Sequence, residues 1–360
     1  TSDLMQAGTD TSRVEIIVRG TLTISGSGLS PVTFTSSGAS AGAWVGVIVE
    51  AGGTLSASGA VVERATVGLD LSGTVNGSGS TVRNNTTGAR TNLGASGTLG
   101  TTLFTGNSTA VHGNGGALTI DHGTLVSNSY GVVSSSSSGG VTINNSIVAN
   151  QRSYGLYRAS TSYAAIANAN DDVWGNASGN YYNVSAGGGS FSANPLFVGA
   201  PNYRLTSNSP ARFSDSTGMS DCGAFAYSGD ATSSLTGTLW TNTLLATGTV
   251  TGDLTVPAGV TVSVPAGVTL TAATSDLMQA GDDTSRVEVI VRGTLATAGT
   301  VATPATFTSS GASAGAWVGV RVEAGGNATL TGASISRATW GVDAFGAVAL
   351  TDSALTNDAT

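Results

Sequence analysis

The residues of this chain that could do chemistry are few and scattered. Its only two histidines, His112 and His122, lie in HGNGGALTIDHG, the second directly after Asp121. Two imidazoles and a carboxylate are the parts of an acid–base pair or a metal site. So short a spacing need not bring them to one face, and isolated surface residues are the expected reading. Asp171 and Asp172 are neighbours in NANDDVWGN, an Asx-rich stretch whose oxygens could hold a cation. On a strand, however, adjacent side chains point to opposite sides, and a structural turn is expected. The many Ser and Thr include no Gly-x-Ser-x-Gly elbow beside a usable base. No catalytic residue, cofactor or metal is therefore assigned. Flat Thr arrays can bind ice, but TLTI, LTI and VTI each read as one outward Thr beside an inward neighbour, so no Thr-x-Thr array is expected.

Composition sets what must position any site. The 360 residues hold 52 Gly, 7 Pro and 1 Cys, and 40% of them are hydrophobic. Charged residues make up only 9%, all the basic ones are Arg, and the formal net charge is −8. Disorder needs low hydrophobicity and high net charge together, so a folded chain is expected. The acidic balance argues against nucleic acid, which needs a basic face for phosphate, and against an anionic membrane surface. No apolar run is long enough for a membrane span. One cysteine, Cys222, excludes an internal disulfide framework and reads as a small buried residue.

The strongest signal is a long repeat. TSDLMQAG opens the chain and returns at Thr274, and residues 1–50 match 274–323 without gaps at about four-fifths of positions. In WVGVIVE, Val45, Val47 and Val49 alternate with Trp44, Gly46 and Ile48. The second copy keeps Val318, Val320 and Val322 but turns Ile48 into Arg321. A charge is tolerated where water reaches it, so the valines are expected to face in, with period two. The same parity turns Trp44 and Trp317 outward as possible contact aromatics, though coverage by the preceding FTSSGASAGA loop is the expected reading. Arg13, Glu15 and Arg19, repeated as Arg286, Glu288 and Arg292, read as a solvated ion-pair face.

A second rhythm runs inside the first. Asn85, Asn107, Asn128 and Asn150 each end a short apolar stretch, at steps of 22, 21 and 22 residues. Strands of three to five residues, punctuated by Gly, Asn and Ser, fit no helix. They fit a solenoid whose coils stack at the strand spacing, with Asn repeating at one corner as a ladder. The expected fold class is all-β, a parallel β-helix (β-solenoid) built from long tandem repeats.

Several stretches resemble one family, the right-handed parallel β-helix, pectate-lyase-like surface and adhesin proteins of bacteria. LTVPAGVTVSVPAGVTLTA (254–272) looks like their opening coil. NPLFV (194–198), YRL (203–205), SPA (209–211) and DCGAFAY (221–227) look like their closing segment, with Cys222 and Ala226 departing from the usual letters. The resemblance implies a first unit over 1–228, lacking its opening coils and closing over 160–228. A junction at 229–238 and a next unit from 239 to 360 follow, in which 274–360 repeats 1–87. On this reading the chain is a window on a longer tandem array. The expected function is a non-catalytic structural or adhesive module of a secreted or cell-surface bacterial fibre. Its partners would be other units, met head to tail or laterally, and cell-surface polysaccharide. The competing expectation is a carbohydrate-active or carbohydrate-binding β-helix.

Overall fold

The computed structural model describes residues 2–232 and 235–359, and every regular element among them is a strand. The cause is visible in the burial of single strands. In TLSAS, Thr54–Ser58, Leu55 and Ala57 are buried while Ser56 and Ser58 are exposed. Period-two burial of this kind, in pieces too short for a helix, leaves pairing with a neighbouring coil as the way to satisfy the backbone.

In the first unit each coil gives one strand to each of three parallel sheets. One sheet has eight strands, from Glu15–Val18 to Gly179–Tyr182; the other two have seven each, Thr21–Ser25 to Ala167–Ala169 and Val32–Phe34 to Asp172–Trp174. Each strand pairs with its counterpart in the next coil, as in Val47↔Leu69, Leu69↔Ala89, Ala89↔Val111 and Val111↔Val132. The chain is a right-handed parallel β-helix. Because the register carries like positions onto like, inward residues form columns. The column Val62–Val82–Phe104–Leu125–Val148–Val173 is buried along its whole length. Each such side chain contributes about 1.5–3 kcal/mol on leaving water.

The second unit repeats the scheme around its own core. Its strand Gly248–Val256 is long because it turns a corner: Gly248–Val250 pair with Leu270–Ala272, and Leu254–Val256 with Val289–Val291. The compact units are Thr1–Pro195 with Ala211–Ala226, and Leu196–Pro210 with Tyr227–Thr360. The expected closing segment is thus divided. Residues 196–210 go with the second unit because their polar groups are taken up there. Asn208 O accepts from Thr238 N at 2.8 Å, and Trp240 Nε1 donates to Ser209 O at 2.8 Å.

Parity along WVGVIVE holds for part of the stretch. Val47, Val49, Val320 and Val322 lie in the core, as expected. Val45 is half-buried, Val318 is buried, and neither joins the core cluster. Trp44 and Trp317 take the core position instead, at 4% and 1% exposure. Each indole Nε1 donates to a backbone carbonyl, Glu63 O at 2.8 Å and Ser336 O at 2.9 Å. The outward assignment of these tryptophans is corrected. The reason is Gly46, and Gly319 in the second copy, at φ +134° and +129°. A Cβ at Gly46 would lie 1.7 Å from Val67 O, so only glycine makes the turn, and alternation does not carry across it.

Candidate functional site

The corners of the first unit are where its polar residues gather. At one corner a residue in the left-handed region precedes an inward amide. Asn84, Ser127 and Asn150 take this role at φ 54°, 57° and 57°, with Gly106 and Gly175 at the equivalent points; Arg64, at φ 64°, starts the series one coil earlier but is followed by Ala65. The amide that follows caps the coil before it. Asn85 Oδ1 accepts from Ala65 N at 2.8 Å, Asn107 Oδ1 from Asn85 N at 2.9 Å, and Asn128 Oδ1 from Asn107 N at 2.9 Å. Their Nδ2 atoms donate to Val62 O, Val82 O and Phe104 O.

The ladder then leaves the expected residue. Gln151 Oε1, not Asn150, accepts from Asn128 N at 2.9 Å, and Asn176 Oδ1 accepts from Gln151 N at 3.0 Å. Asn150 is exposed and is corrected from rung to corner. The step from Asn128 to Gln151 is 23 residues, against 22 and 21 for the two before it, and Gln reaches as Asn does.

A second ladder uses shorter side chains. Ser80 Oγ accepts from Ala60 N, Ser146 Oγ from Gly123 N at 2.8 Å, and Asp171 Oδ1 from Ser146 N at 2.8 Å. Asp171 is thus a rung, and burial pushes its carboxyl up to about 8. Asp172 is fully buried beside it. Its Oδ1 accepts from Ala193 N at 3.1 Å, its Oδ2 has no partner, and burial holds the group well above the usual carboxylate range. Burial, then these two carboxyls, push Tyr181 up to about 12; burial also pushes Cys222 up to about 12, opposed by its bond with the Ser214 side chain and aided by the nearby carboxyls. Such a neighbourhood disfavours charge of any kind. Among the described residues no three or more His, Cys, Asp or Glu are grouped to hold a metal ion.

The histidines are kept apart. His112 lies on the first sheet, with Nε2 2.6 Å from Ser135 Oγ. Burial, and then Arg90, lowers its pKa. His122 sits at the second corner, with Nδ1 3.2 Å from Asp121 Oδ2 and Nε2 3.9 Å from Asp215 Oδ2. Asp121 also accepts from Asn145 Nδ2 at 2.8 Å, and Asn145 Oδ1 accepts from Ser216 N at 2.8 Å. The carboxylates and the amide clasp the 211–226 segment to the coil.

Two clusters went unnoticed in the sequence. Tyr130, Tyr154, Tyr157 and Tyr182 form an aromatic array on the outer face of the eight-stranded sheet. Neighbouring ring centroids lie 4.8–5.4 Å apart, and Tyr157 stacks on Tyr182 at 19°. The signal was SYGVV, SYGLYR and NYYN, one per coil. The second cluster is acidic. Asp253 and Glu288 occupy adjacent strands, and both are buried under the loop 274–283. Asp276 Oδ1 accepts from Asp253 N, Asp253 Oδ1 from Glu288 N, and Glu288 Oε1 from Asp282 N and Asp283 N. Burial, with Asp276 and Glu288 nearby, pushes Asp253 up to about 9, and burial also raises Asp276 and Glu288.

Compared with family models, curated proteins and solved structures, the chain matches none. What defines its class is the geometry described: stacked parallel coils with amide and hydroxyl corner ladders.

Proposed function

We propose that the chain is a structural and adhesive tandem-repeat module of a secreted or cell-surface bacterial fibre, acting through its stacked surface rather than by catalysis. One observation carries this reading. The brace that fixes the wide loop before each tryptophan is built twice from the same parts. Arg13 Nη1 donates to Gly42 O at 3.0 Å and Thr66 Oγ1 at 2.7 Å, while its Nη2 pairs with Asp10 at 2.7 Å. Arg286 does the same with Gly315 O at 2.9 Å, Thr339 Oγ1 at 2.6 Å and Asp283 at 2.6 Å. Scaffold residues are thus copied with their contacts. Duplication of framework together with its contacts suits a protein whose product is length.

The lack of Lys and the low charge suit close lateral and head-to-tail association with further units. A polysaccharide partner is supported by one place, the tyrosine array, whose rings cover one another and leave edges and phenols outward for hydrogen bonding. The test is electron microscopy of a chain extended to several units. Rods that lengthen by a fixed increment per unit support the fibre reading. Beads joined by slack tethers, or cleavage of an acidic polysaccharide by the purified chain, would sink it.

A further inference from the structure

The seven-stranded sheet that starts at Thr21–Ser25 carries a feature that single strands do not show. In its first coil Thr21, Thr23 and Ser25 all face outward, while Ile24 is buried. Leu22 packs against the core from the same side. The two threonines are therefore both outward, contrary to the single-Thr reading. In-register pairing sets Thr54, Ser56 and Ser58 beside them, then Thr74, Asn76 and Ser78, then Ser96 and Thr98. No charged or aromatic side chain enters these ranks. None of them is tied by a side-chain hydrogen bond to another described residue.

The spacing of this grid follows from strand geometry. Neighbours lie about 4.8 Å apart from coil to coil and about 6.6 Å apart along a strand. Thr is held to few rotamers by its branched Cβ, which sets hydroxyl and methyl at fixed points. A linear glycan could follow one rank but not several at once, and the grid offers no ring on which to stack a sugar. A ligand that meets all the ranks together must itself repeat in two dimensions, without charge. Hexagonal ice does so, with oxygen repeats near the spacing between coils and close to that along a strand, and the hydroxyls and methyls of these ranks could hold water in register with it.

We propose that this Ser/Thr face of the first unit, centred on Thr23, Ser56 and Asn76, is an ice-binding surface. The second copy supplies a contrast. There Ala296, Ala298, Ala347 and Ala349 stand where Thr23, Ser25, Thr74 and Asn76 stand in the first, so the grid is broken. The inference is independent of the fibre reading, since a monomer would bind ice as well as a filament.

The test is ice growth in a solution of the full chain, read as thermal hysteresis, crystal shape and uptake of fluorescently labelled protein into ice. Faceted crystals, a hysteresis gap and uptake are expected. Ser56→Tyr, with an unchanged circular-dichroism spectrum and melting point, should abolish all three. Thr329→Tyr, the same change on the second copy, should leave them intact, and Asn76→Thr should widen the gap. Round crystals with no hysteresis and no uptake for the unaltered chain would overturn the proposal. So would full activity in folded Ser56→Tyr, or adsorption to insoluble polysaccharide with ice growth unaffected.

Discussion

The two copies of the long repeat are the same sequence in different surroundings, and they separate what the coil dictates from what its neighbours add. In the second copy the strand Gly248–Val256 lies beside Glu288–Val291, Met278 is 2% exposed, and Val287 and Ile290 are buried. In the first copy the strand Glu15–Val18 ends its sheet, and Leu4 and Met5 are 94% and 83% exposed. In the second copy, burial of these letters is thus supplied by the strand beneath them. What does not change is local: the Gly46 and Gly319 turns, the buried tryptophans and the arginine braces. Side chains that make coil structure are kept, and outward positions drift.

The largest effect should come from the tryptophans. Trp44→Ala and Trp317→Ala should each cost about 3–5 kcal/mol, the range for emptying a large aromatic from a core. Urea unfolding followed by circular dichroism would measure both. Similar losses in the two copies would show that the tryptophan pocket belongs to the repeat itself. A loss under about 1 kcal/mol, the ordinary surface value, would return the indoles to the surface.

Next comes a pH dependence that the buried carboxyls should impose on each unit, largest through Asp253 in the second. Asp253 is pushed up to about 9 in the fold, against about 3.9 in an unfolded chain. Between those values the native state holds a proton that the unfolded state has lost. Stability is therefore fullest below about pH 4 on this group's account and falls as pH rises toward 9. Asp253→Asn keeps an oxygen for Glu288 N and should flatten much of this fall, by about 1–3 kcal/mol at the alkaline end. Melting temperatures of both proteins from pH 5 to 9 would decide it. Asp171 should impose a similar slope, ending near its own value of about 8, in the first unit.

The corner ladder gives a comparison within one unit. Asn107→Ala removes an acceptor from buried Asn85 N and a donor to Val82 O, at a cost of about 1–3 kcal/mol. Asn150→Gly should cost almost nothing, since its left-handed backbone suits glycine. Chemical denaturation of the two variants would test the correction from Asn150 to Gln151. Equal losses would restore Asn150 to the ladder.

These cases show where sequence was legible. The Asn85, Asn107 and Asn128 rungs recur at steady steps, so period alone exposed them. The ladder went astray at Asn150 because one inserted residue shifts the phase and Gln was not read as equivalent to Asn. The Val47 and Val49 columns followed from alternation, and Trp44 did not, because a glycine turn resets alternation without leaving a mark in hydrophobicity. The Asp253–Glu288 pair and the Thr23–Ser56–Asn76 ranks join residues from different coils. Their proximity depends on register, which a reading of single strands cannot supply.

The smallest effect is the most specific test of how the copies diverged. Arg321 in the second copy replaces Ile48 in the first, and the surroundings changed with it. Arg321 pairs with Asp282 and lies 3.6 Å from Asp343, with its guanidinium over the Phe345 ring at 5.0 Å. The equivalent residues in the first copy are Thr9, Asp70 and Ser72. Asp70 is already paired with Arg90 at 2.6 Å, so an arginine at 48 finds its best acceptor missing at position 9. Ile48→Arg alone should therefore destabilise slightly, because it loses apolar contact with Ile17 and gains only a shared carboxylate. Adding Thr9→Asp should recover about 0.5–1 kcal/mol, the scale of a partly exposed ion pair. A double-mutant cycle in low salt would show this coupling, and it should shrink as salt screens the charges. Zero coupling would mean that Asp282 and Arg321 arose independently and that drift on the outer face is not coordinated between neighbouring coils.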